Sequence, residues 1–243
     1  MRCIDSTVSV NGSYLKPADI AAIRRLLSSE GYVYLTDISD GCDYLGELSK
    51  LGTPIPHQGT DYVKDIKPDP RAAAETYSSS NMKKLQPHTE WYEAAGVPPR
   101  YVALWCVREA QGEGGETMIA DGYRFLNEFS AQDRQLLQER QYEWYGVSNS
   151  SGGPPDATPH HPILERHLDG LIVRYSTQLL QRVKDDSLAA RYIAGGASFF
   201  EAQCIPVSIT RNSVLVLDNW RMMHARRAFS DPERHLRRVL LAS

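Results

Sequence analysis

The 243-residue sequence is poor in cysteine, has no excess of positive charge and contains no long apolar run. Its four cysteines, at positions 3, 42, 106 and 204, are far apart and form no C-x-x-C pair, so they do not indicate a disulfide framework. No apolar run approaches the roughly 20 residues needed to cross a bilayer. Residues 1–10 also lack the apolar core of a secretory signal. We therefore expect a cytoplasmic protein without membrane attachment.

The formal net charge of −3 argues against a nucleic-acid partner, because such proteins usually carry a basic stripe. Hydrophobic residues make up 42% of the chain and charged residues 23%, which is ordinary for a globular protein with a substantial core. The basic residues cluster near the C-terminus, at Arg221, Arg226, Arg227, Arg234, Arg237 and Arg238. Such a cluster in a mildly acidic protein indicates a small anionic ligand. The sequence indicates no oligomeric state.

The order of hydrophobic patterns predicts a mainly β protein with flanking helices, built as a β-barrel or jelly roll. Helices are predicted over residues 17–30, 42–51 and 178–194, and after the capping box that begins at Ser130. Strands are predicted over residues 31–38, 100–108, 115–120, 208–217 and 236–241, with a hairpin over 163–176 that turns at Asp169-Gly170. The polar, proline-containing residues 53–80 are predicted to form a long lid or binding loop. We expect one domain over residues 1–243.

A possible metal site begins with His88-Thr89-Glu90. In a strand, residues i and i+2 point to the same face, so His88 and Glu90 could bind one ion while Thr89 points away. A second match, at residues 167–169, is better explained by the hairpin turn. His224, which follows the apolar run 214–217, is the best candidate for a third ligand. Two histidines and one carboxylate form the ligand set of non-haem Fe(II) oxygenases.

Four segments in order make the chain resemble the taurine dioxygenase-like (TauD/TfdA) family, nearest to its clavaminate synthase-like branch. The segments are Pro87-His88-Thr89-Glu90, Gly114-Gly115-Glu116-Thr117, Asp218 to Phe229 (DNWRMMHARRAF) and Arg234-His235-Leu236-Arg237-Arg238. The resemblance covers the chain from about residue 31 to its end. It implies a double-stranded β-helix (jelly-roll, cupin-like) core, Fe(II) as the metal, and 2-oxoglutarate and O2 as co-substrates.

The resemblance also implies roles for individual residues. His88, Glu90 and His224 fall on the metal ligands, and Thr117 and Arg234 fall on the residues that bind the 2-oxoglutarate carboxylate. Arg238 falls on an arginine that, in some members, helps to bind an anionic substrate or the co-substrate. The chain departs from the usual pattern in having Glu90 where most members have Asp, and Ala225 where glycine is usual. The short spacing from His224 leaves open whether Arg234 or Arg238 holds 2-oxoglutarate.

The implied reaction oxidises an unactivated C–H bond of a small substrate, with hydroxylation as the main expectation and desaturation or cyclisation as alternatives. Succinate and CO2 would be released, and retention of Glu90 argues against halogenation. The arginine cluster favours a substrate with a carboxylate, such as an amino acid or a derivative, and Tyr77, Ser79 and Asn81 could line its pocket. Because both histidines must be neutral to bind metal, activity is expected to fall below roughly pH 6.

Two other functions are compatible with parts of the pattern. A non-catalytic jelly-roll protein could hold a metal or a small ligand, although the placement of Thr117 and Arg234 argues against it. A zinc hydrolase could also use two histidines and a glutamate. The sequence has no H-E-x-x-H motif to support that reading.

Overall fold

Strands dominate the computed structural model, which describes residues 6–57, 59–75, 78–94, 96–144, 159–181, 183 and 185–243. Its strands are β1 (Thr7–Gly12), β2 (Tyr32–Ile38), β3 (Thr53–Ile55), β4 (Lys64–Ile66), β5 (Leu85–His88), β6 (Tyr101–Arg108), β7 (Thr117–Asp121), β8 (Tyr142–Glu143), β9 (His160–His161), β10 (Leu164–His167), β11 (Gly170–Val173), β12 (Ile205–Val207), β13 (Val214–Asp218), β14 (Met222–Arg226) and β15 (His235–Ala242). Its α-helices are α1 (Pro17–Glu30), α2 (Tyr44–Leu48), α3 (Gly122–Phe125), α4 (Ala131–Glu139) and α5 (Ser187–Gln203). Short 3-10 turns cover Pro70–Ala72, Leu126–Glu128 and Thr177–Gln181. Among the described residues, no helix is both long and apolar enough to span a membrane.

Two sheets made from distant parts of the chain form the core. The larger has the order β1-β2-β13-β6-β15-β3, with β4 also paired to β15, and the smaller has the order β12-β7-β14-β5. Most neighbouring strands are antiparallel and not consecutive in the chain, whereas β1 and β2 are parallel. This arrangement is the predicted jelly-roll core.

Alternate residues of the central strands pack into different apolar layers. In β13, Leu215 and Leu217 belong to the cluster that also contains Ile119 and Met222 of the smaller sheet, so this cluster lies between the two sheets. Val216, on the other face of β13, belongs to a cluster built with helix α1. A third cluster packs α5 against the outer face of the smaller sheet. Because both faces of the sheets are covered, the strands read as nearly continuous apolar runs.

Several predicted elements are confirmed by the structure. The helix over residues 17–30 is α1, and the helix that follows Ser130 is α4, whose capping box is present. The strands predicted at 31–38, 100–108, 115–120 and 236–241 correspond to β2, β6, β7 and β15 with small changes at their ends. The hairpin predicted over 163–176 is formed by β10 and β11, with His167 paired to Gly170 across the turn.

Other predictions need correction. The helix predicted over 178–194 begins only at Ser187, because the side chain of Asp186 accepts hydrogen bonds from the Leu188 and Ala189 amides and caps α5 there. The helix predicted over 42–51 is limited to Tyr44–Leu48. The strand predicted over 208–217 begins at Val214. The predicted loop over 53–80 contains β3 and β4, which have few residues of their own and depend on pairing with β15.

Helix α5 contains two adjacent glycines whose surroundings differ. A Cβ placed on Gly196 would lie 2.3 Å from the ring of Tyr175, which is fully buried and donates a hydrogen bond to the Ile193 carbonyl. A Cβ placed on Gly195 would lie 3.5 Å from the ring of Phe125, an ordinary contact. Only Gly196 is therefore required for the close approach of the helix to the core.

We predict opposite effects for the two alanine substitutions. Gly196→Ala should lower the free energy of unfolding by about 1–3 kcal/mol, because a rigid buried ring must move. Gly195→Ala should leave it unchanged or raise it by up to about 1 kcal/mol, because alanine is the better helix former. Urea unfolding of the two variants measures the difference. Equal effects would contradict the packing described here.

Candidate metal centre and its cavity

The two histidines are brought together by strand pairing. His88 is the last residue of β5 and His224 lies in the middle of β14, and these residues are direct partners across the antiparallel pair. Directly opposite side chains project to the same face of a sheet, and the two imidazole centroids are 4.3 Å apart. The carboxylate of Glu90 approaches from the same side, with 3.8 Å between its Oε2 and Nε2 of His224. One ligand atom from each of the three residues lies within 4.8 Å of the others.

Glu90 is not held by a strand, contrary to the i, i+2 expectation. Strand β5 ends at His88, and the chain then turns, with Trp91 in the left-handed region at φ +54°. Asn219 fixes the turn: its Oδ1 accepts the Glu90 amide at 2.6 Å and its Nδ2 donates to the Glu90 carbonyl at 3.0 Å. The neighbouring Thr89 amide donates to the Tyr175 carbonyl. A side-chain clamp from the β13–β14 turn thus positions the carboxylate.

The protonation of these groups suits a metal. Nδ1 of His88 lies 2.9 Å from the Gln86 carbonyl, which leaves Nε2 free to bind an ion. Desolvation lowers the pKa of His88, and it lowers the pKa of His224 to about 3, so both imidazoles are neutral near pH 7. Burial alone would raise the pKa of Glu90, but nearby positive charge, chiefly the Arg238 guanidinium, holds it at about 2.

The donor set is also the right one for iron. Two neutral imidazoles and one carboxylate grouped on one side of an ion are the ligands used by non-haem Fe(II) oxygenases. Buried Nδ1 of His224 has no hydrogen-bond partner among the described residues, and Nε2 of the same ring faces the Glu90 carboxylate at 3.8 Å, a gap that an ion could bridge. His88, Glu90 and His224 therefore fit the metal that the sequence predicts.

The three ligand residues open into a cavity of about 810 Å³. Its walls also contain most of the other residues predicted for the site, namely Ser79, Thr117, Arg234 and Arg238. A cavity of this size can hold two small ligands in addition to an ion.

Arg234 and Thr117 are both buried residues of the cavity wall. Arg234 is buried, donates to the Gly115 carbonyl at 2.9 Å and lies over the ring of Phe229 at 5.0 Å. Arg226, the cross-strand partner of Thr117, lies over the same ring. Burial lowers the pKa of both arginines to about 10, and no carboxylate in the described part of the chain is within ion-pair distance of either.

Arg238 lies nearer to the metal ligands. Its Nη1 donates to Oε2 of Glu90 at 2.5 Å, and both side chains are close to 10% exposed. The two arginines that the sequence leaves as alternatives therefore line one cavity with different partners: Arg234 contacts Gly115 and Phe229, and Arg238 contacts Glu90.

The segment before β5 places the remaining candidates differently. Ser79 lines the cavity, whereas Asn81 is not among its wall residues. The Asn81 side chain donates to the Glu75 carbonyl and accepts from Arg226, which also binds the carbonyls of Ser79, Asn81 and Lys83. Asn81 thus holds the segment rather than facing a ligand. Tyr77 lies outside the described residues.

Sequence reasoning assigned no role to several residues of the site. Asn219 and Arg226 lie in the segment Asp218 to Phe229, which carries the family resemblance, but their contacts depend on tertiary structure. His57 and Glu93 line the cavity; burial lowers the pKa of His57 to about 4 and raises that of Glu93 to about 7. Neither residue stands in a motif that would have identified it.

The chain matches the family described as "Taurine catabolism dioxygenase TauD, TfdA family" over residues 4–240. It belongs to this family. Family members are Fe(II)- and 2-oxoglutarate-dependent oxygenases, so the predicted enzyme class and cofactors are confirmed.

Solved structures of the same fold confirm the architecture. Asparagine oxygenase, in a complex with Fe(II), 2S,3S-3-hydroxyasparagine and succinate, has a TM-score of 0.73 and 19% identity, covering 93% of this chain and 78% of its own. The non-haem iron oxygenase OrfP, in complex with Fe and alpha-ketoglutaric acid, has a TM-score of 0.74 and 21% identity, with coverages of 94% and 81%. No curated protein sequence matches the chain.

The low pKa values of the histidines shift the acid limit of metal binding. A group whose pKa is depressed in the folded state stays deprotonated down to that lower pKa, so the fall expected near pH 6 should occur at a lower pH. We predict that anaerobic Fe(II) affinity falls by less than about tenfold between pH 7.5 and 5.5, because His224 stays neutral and the pKa of His88 lies below its usual value. Two imidazoles with an ordinary pKa near 6.5 would instead lose about a hundredfold at pH 5.5. Equilibrium dialysis, with circular dichroism to verify folding, distinguishes these results.

The Asn219 clamp should control metal affinity from outside the ligand set. We predict that Asn219→Ala weakens Fe(II) binding by about 10–100-fold, because Glu90 loses the contacts that fix its backbone. Asn127→Ala, at an exposed position of a 3-10 turn, serves as the control and should leave the affinity unchanged. Equal affinities in both variants would show that the clamp does not position the carboxylate.

Proposed function

We propose that this enzyme hydroxylates an unactivated C–H bond of a small amino-acid-like substrate. The observation that carries the proposal is that two arginines, Arg234 and Arg238, enter different parts of the cavity that holds the metal ligands. Two guanidinium groups can bind the carboxylates of two different molecules, the co-substrate and the substrate.

We assign 2-oxoglutarate to the corner formed by Arg234 and Thr117. A guanidinium matches a carboxylate with two parallel hydrogen bonds, and a threonine hydroxyl can donate another. Arg234 is buried without a carboxylate partner among the described residues, a state that costs free energy unless an anion is bound. The Gly115 carbonyl and the Phe229 ring fix the orientation of this guanidinium.

The substrate is assigned to the part of the cavity next to Glu90, with its carboxylate toward Arg238. Ser79, on the wall formed by the segment before β5, is a second contact, and Tyr77 remains a prediction. Asn81 would act indirectly, by holding that segment through Arg226. The ligands bound in similar structures, a hydroxyasparagine in asparagine oxygenase and a hydroxyarginine in OrfP, support an amino-acid substrate.

Iron with 2-oxoglutarate and O2 supplies an oxidant strong enough to remove a hydrogen atom from carbon, with release of succinate and CO2. The residues of this chain bind and orient the ion and the ligands and shield them from water. His88, Glu90 and His224 would hold the ion on one side and leave its other positions to the ligands. Glu90 keeps its negative charge at neutral pH, since its pKa is about 2, and therefore fills the position that halide would need for halogenation.

We also propose that one oxygenase domain spans residues 1–243 and that the enzyme works in the cytoplasm. The family match from residue 4 to 240 supports the first statement. The second is supported by the three cysteines in the described part of the chain, Cys42, Cys106 and Cys204, which are free thiols as in a reducing compartment. A nucleic-acid or membrane partner is not part of the proposal.

The proposal is tested by adding Fe(II), ascorbate and 2-oxoglutarate to metal-free protein under air and measuring succinate with a panel of L-amino acids. We expect iron-dependent succinate formation that a subset of the panel accelerates, with the oxidised amino acid identified by mass spectrometry. His88→Ala should abolish it, whereas His160→Ala, an exposed histidine of β9, should not.

Binding of 2-oxoglutarate is measured anaerobically on the same samples, because little succinate is expected if the panel does not contain the substrate. Wild-type protein that neither forms succinate nor binds 2-oxoglutarate would refute the proposed function. Binding without any stimulation by an amino acid would refute the proposed substrate class alone.

A further inference from the structure

Strands β4 and β15 bring like charges together on the face that lines the cavity. Their antiparallel register pairs Arg237 with Asp65 and Arg238 with Lys64. On the solvent face, Arg237 and Asp65 form an ordinary ion pair, with 2.9 Å between Nε and Oδ1. On the cavity face, the partner of Arg238 is a second cation. Like charges directly opposite each other destabilise a sheet. The pair is therefore not explained by the stability of the fold, which points to a role in binding.

Lys64 has no neutralising partner of its own among the residues that the structure describes. It is half-buried in the cavity wall, and within the described residues no carboxylate comes within ion-pair distance of its ammonium group. Burial and the neighbouring Arg238 lower its pKa, the direction expected for a cation beside another cation. The acidic group that raises its pKa is Glu90, which already pairs with Arg238 and belongs to the candidate metal ligands.

Among the described residues, the ion pair of Arg238 with Glu90 is the only one that these two cations make, and Glu90 would also bind the ion that the three ligand residues hold. The carboxylate of Glu93 also lies in the cavity wall, but it is not within ion-pair distance of Lys64 or Arg238. Removing charges from water is costly unless they are paired, and a bound anion would supply the missing negative charge.

We propose that Lys64 acts with Arg238 as a two-cation clamp for the carboxylate of the amino-acid substrate and so determines substrate specificity. The inference rests on the proposed function, because it assigns a further residue to the same site. The co-substrate is assigned to a different guanidinium: Arg234 is oriented by Gly115 and Phe229, whereas Lys64 is the strand partner of Arg238.

The clamp is tested by isothermal titration under nitrogen. Protein loaded with Fe(II) and 2-oxoglutarate is titrated with each of the proteinogenic L-amino acids, and every amino acid that binds is compared with its C-terminal carboxamide. Lys64→Met should weaken binding of the free amino acid by roughly tenfold or more, since one charge-assisted hydrogen bond is lost. The carboxamide should bind wild type and variant alike.

Three controls separate charge from structure. Lys67→Met, at an exposed position just beyond β4, should bind the amino acid as wild type does. Lys64→Arg keeps the charge and should recover most of the affinity that Lys64→Met loses. The thermal midpoint of ligand-free Lys64→Met should stay the same or rise, because a like-charge repulsion is removed.

Several outcomes would overturn the clamp while leaving the oxygenase function intact. One is wild-type affinity of Lys64→Met for the amino acid. Another is a loss of 2-oxoglutarate affinity in that variant, which would assign Lys64 to the co-substrate. A third is wild-type protein that binds 2-oxoglutarate but no amino acid of the panel. Failure of wild-type protein to bind 2-oxoglutarate would instead refute the function on which the clamp rests.

Discussion

The antiparallel pairing of β5 with β14 is the constraint on which the site depends. It places His88 directly opposite His224, with ring centroids 4.3 Å apart, although the two residues are far apart in sequence. Backbone hydrogen bonds of the smaller sheet hold this register, and β7 on the other side of β14 brings Thr117 opposite Arg226. A slip of one residue would turn either histidine to the opposite face and remove the metal centre.

The third ligand depends on a different interaction. Glu90 lies beyond the end of β5, so strand pairing does not fix the direction of its side chain. The Asn219 side chain fixes it instead, by hydrogen bonds to the backbone amide and carbonyl of Glu90. Because Asn219 comes from the turn between β13 and β14, the same turn supports both His224 and the carboxylate. The metal centre is thus built by one sheet and one amide side chain.

Electrostatics then determines what the cavity can accept. Burial lowers the pKa of both histidines and lets them bind metal as neutral groups, while Arg238 keeps Glu90 ionised. The buried guanidinium of Arg234 contacts the Gly115 carbonyl and the Phe229 ring but has no acidic partner within the described chain, so a bound anion would stabilise it further. A cavity with this charge distribution favours ligands that carry carboxylates, in agreement with the family to which the chain belongs.

The sequence by itself determined the family, the candidate ligand residues and the strongest elements, because motifs such as His88-Thr89-Glu90 and the hairpin at Asp169-Gly170 are local in the chain. The sequence also identified Arg234 and Arg238 as candidate carboxylate-binding residues, but it could not assign each of them to one ligand. Only the tertiary structure decided that Arg234 contacts Gly115 and Phe229 and that Arg238 contacts Glu90. The tertiary structure also forms β4 within the segment 53–80, which was expected to be a loop, and pairs Lys64 of this strand with Arg238. Short strands and side-chain clamps draw their stability from distant residues, and a local pattern does not encode them.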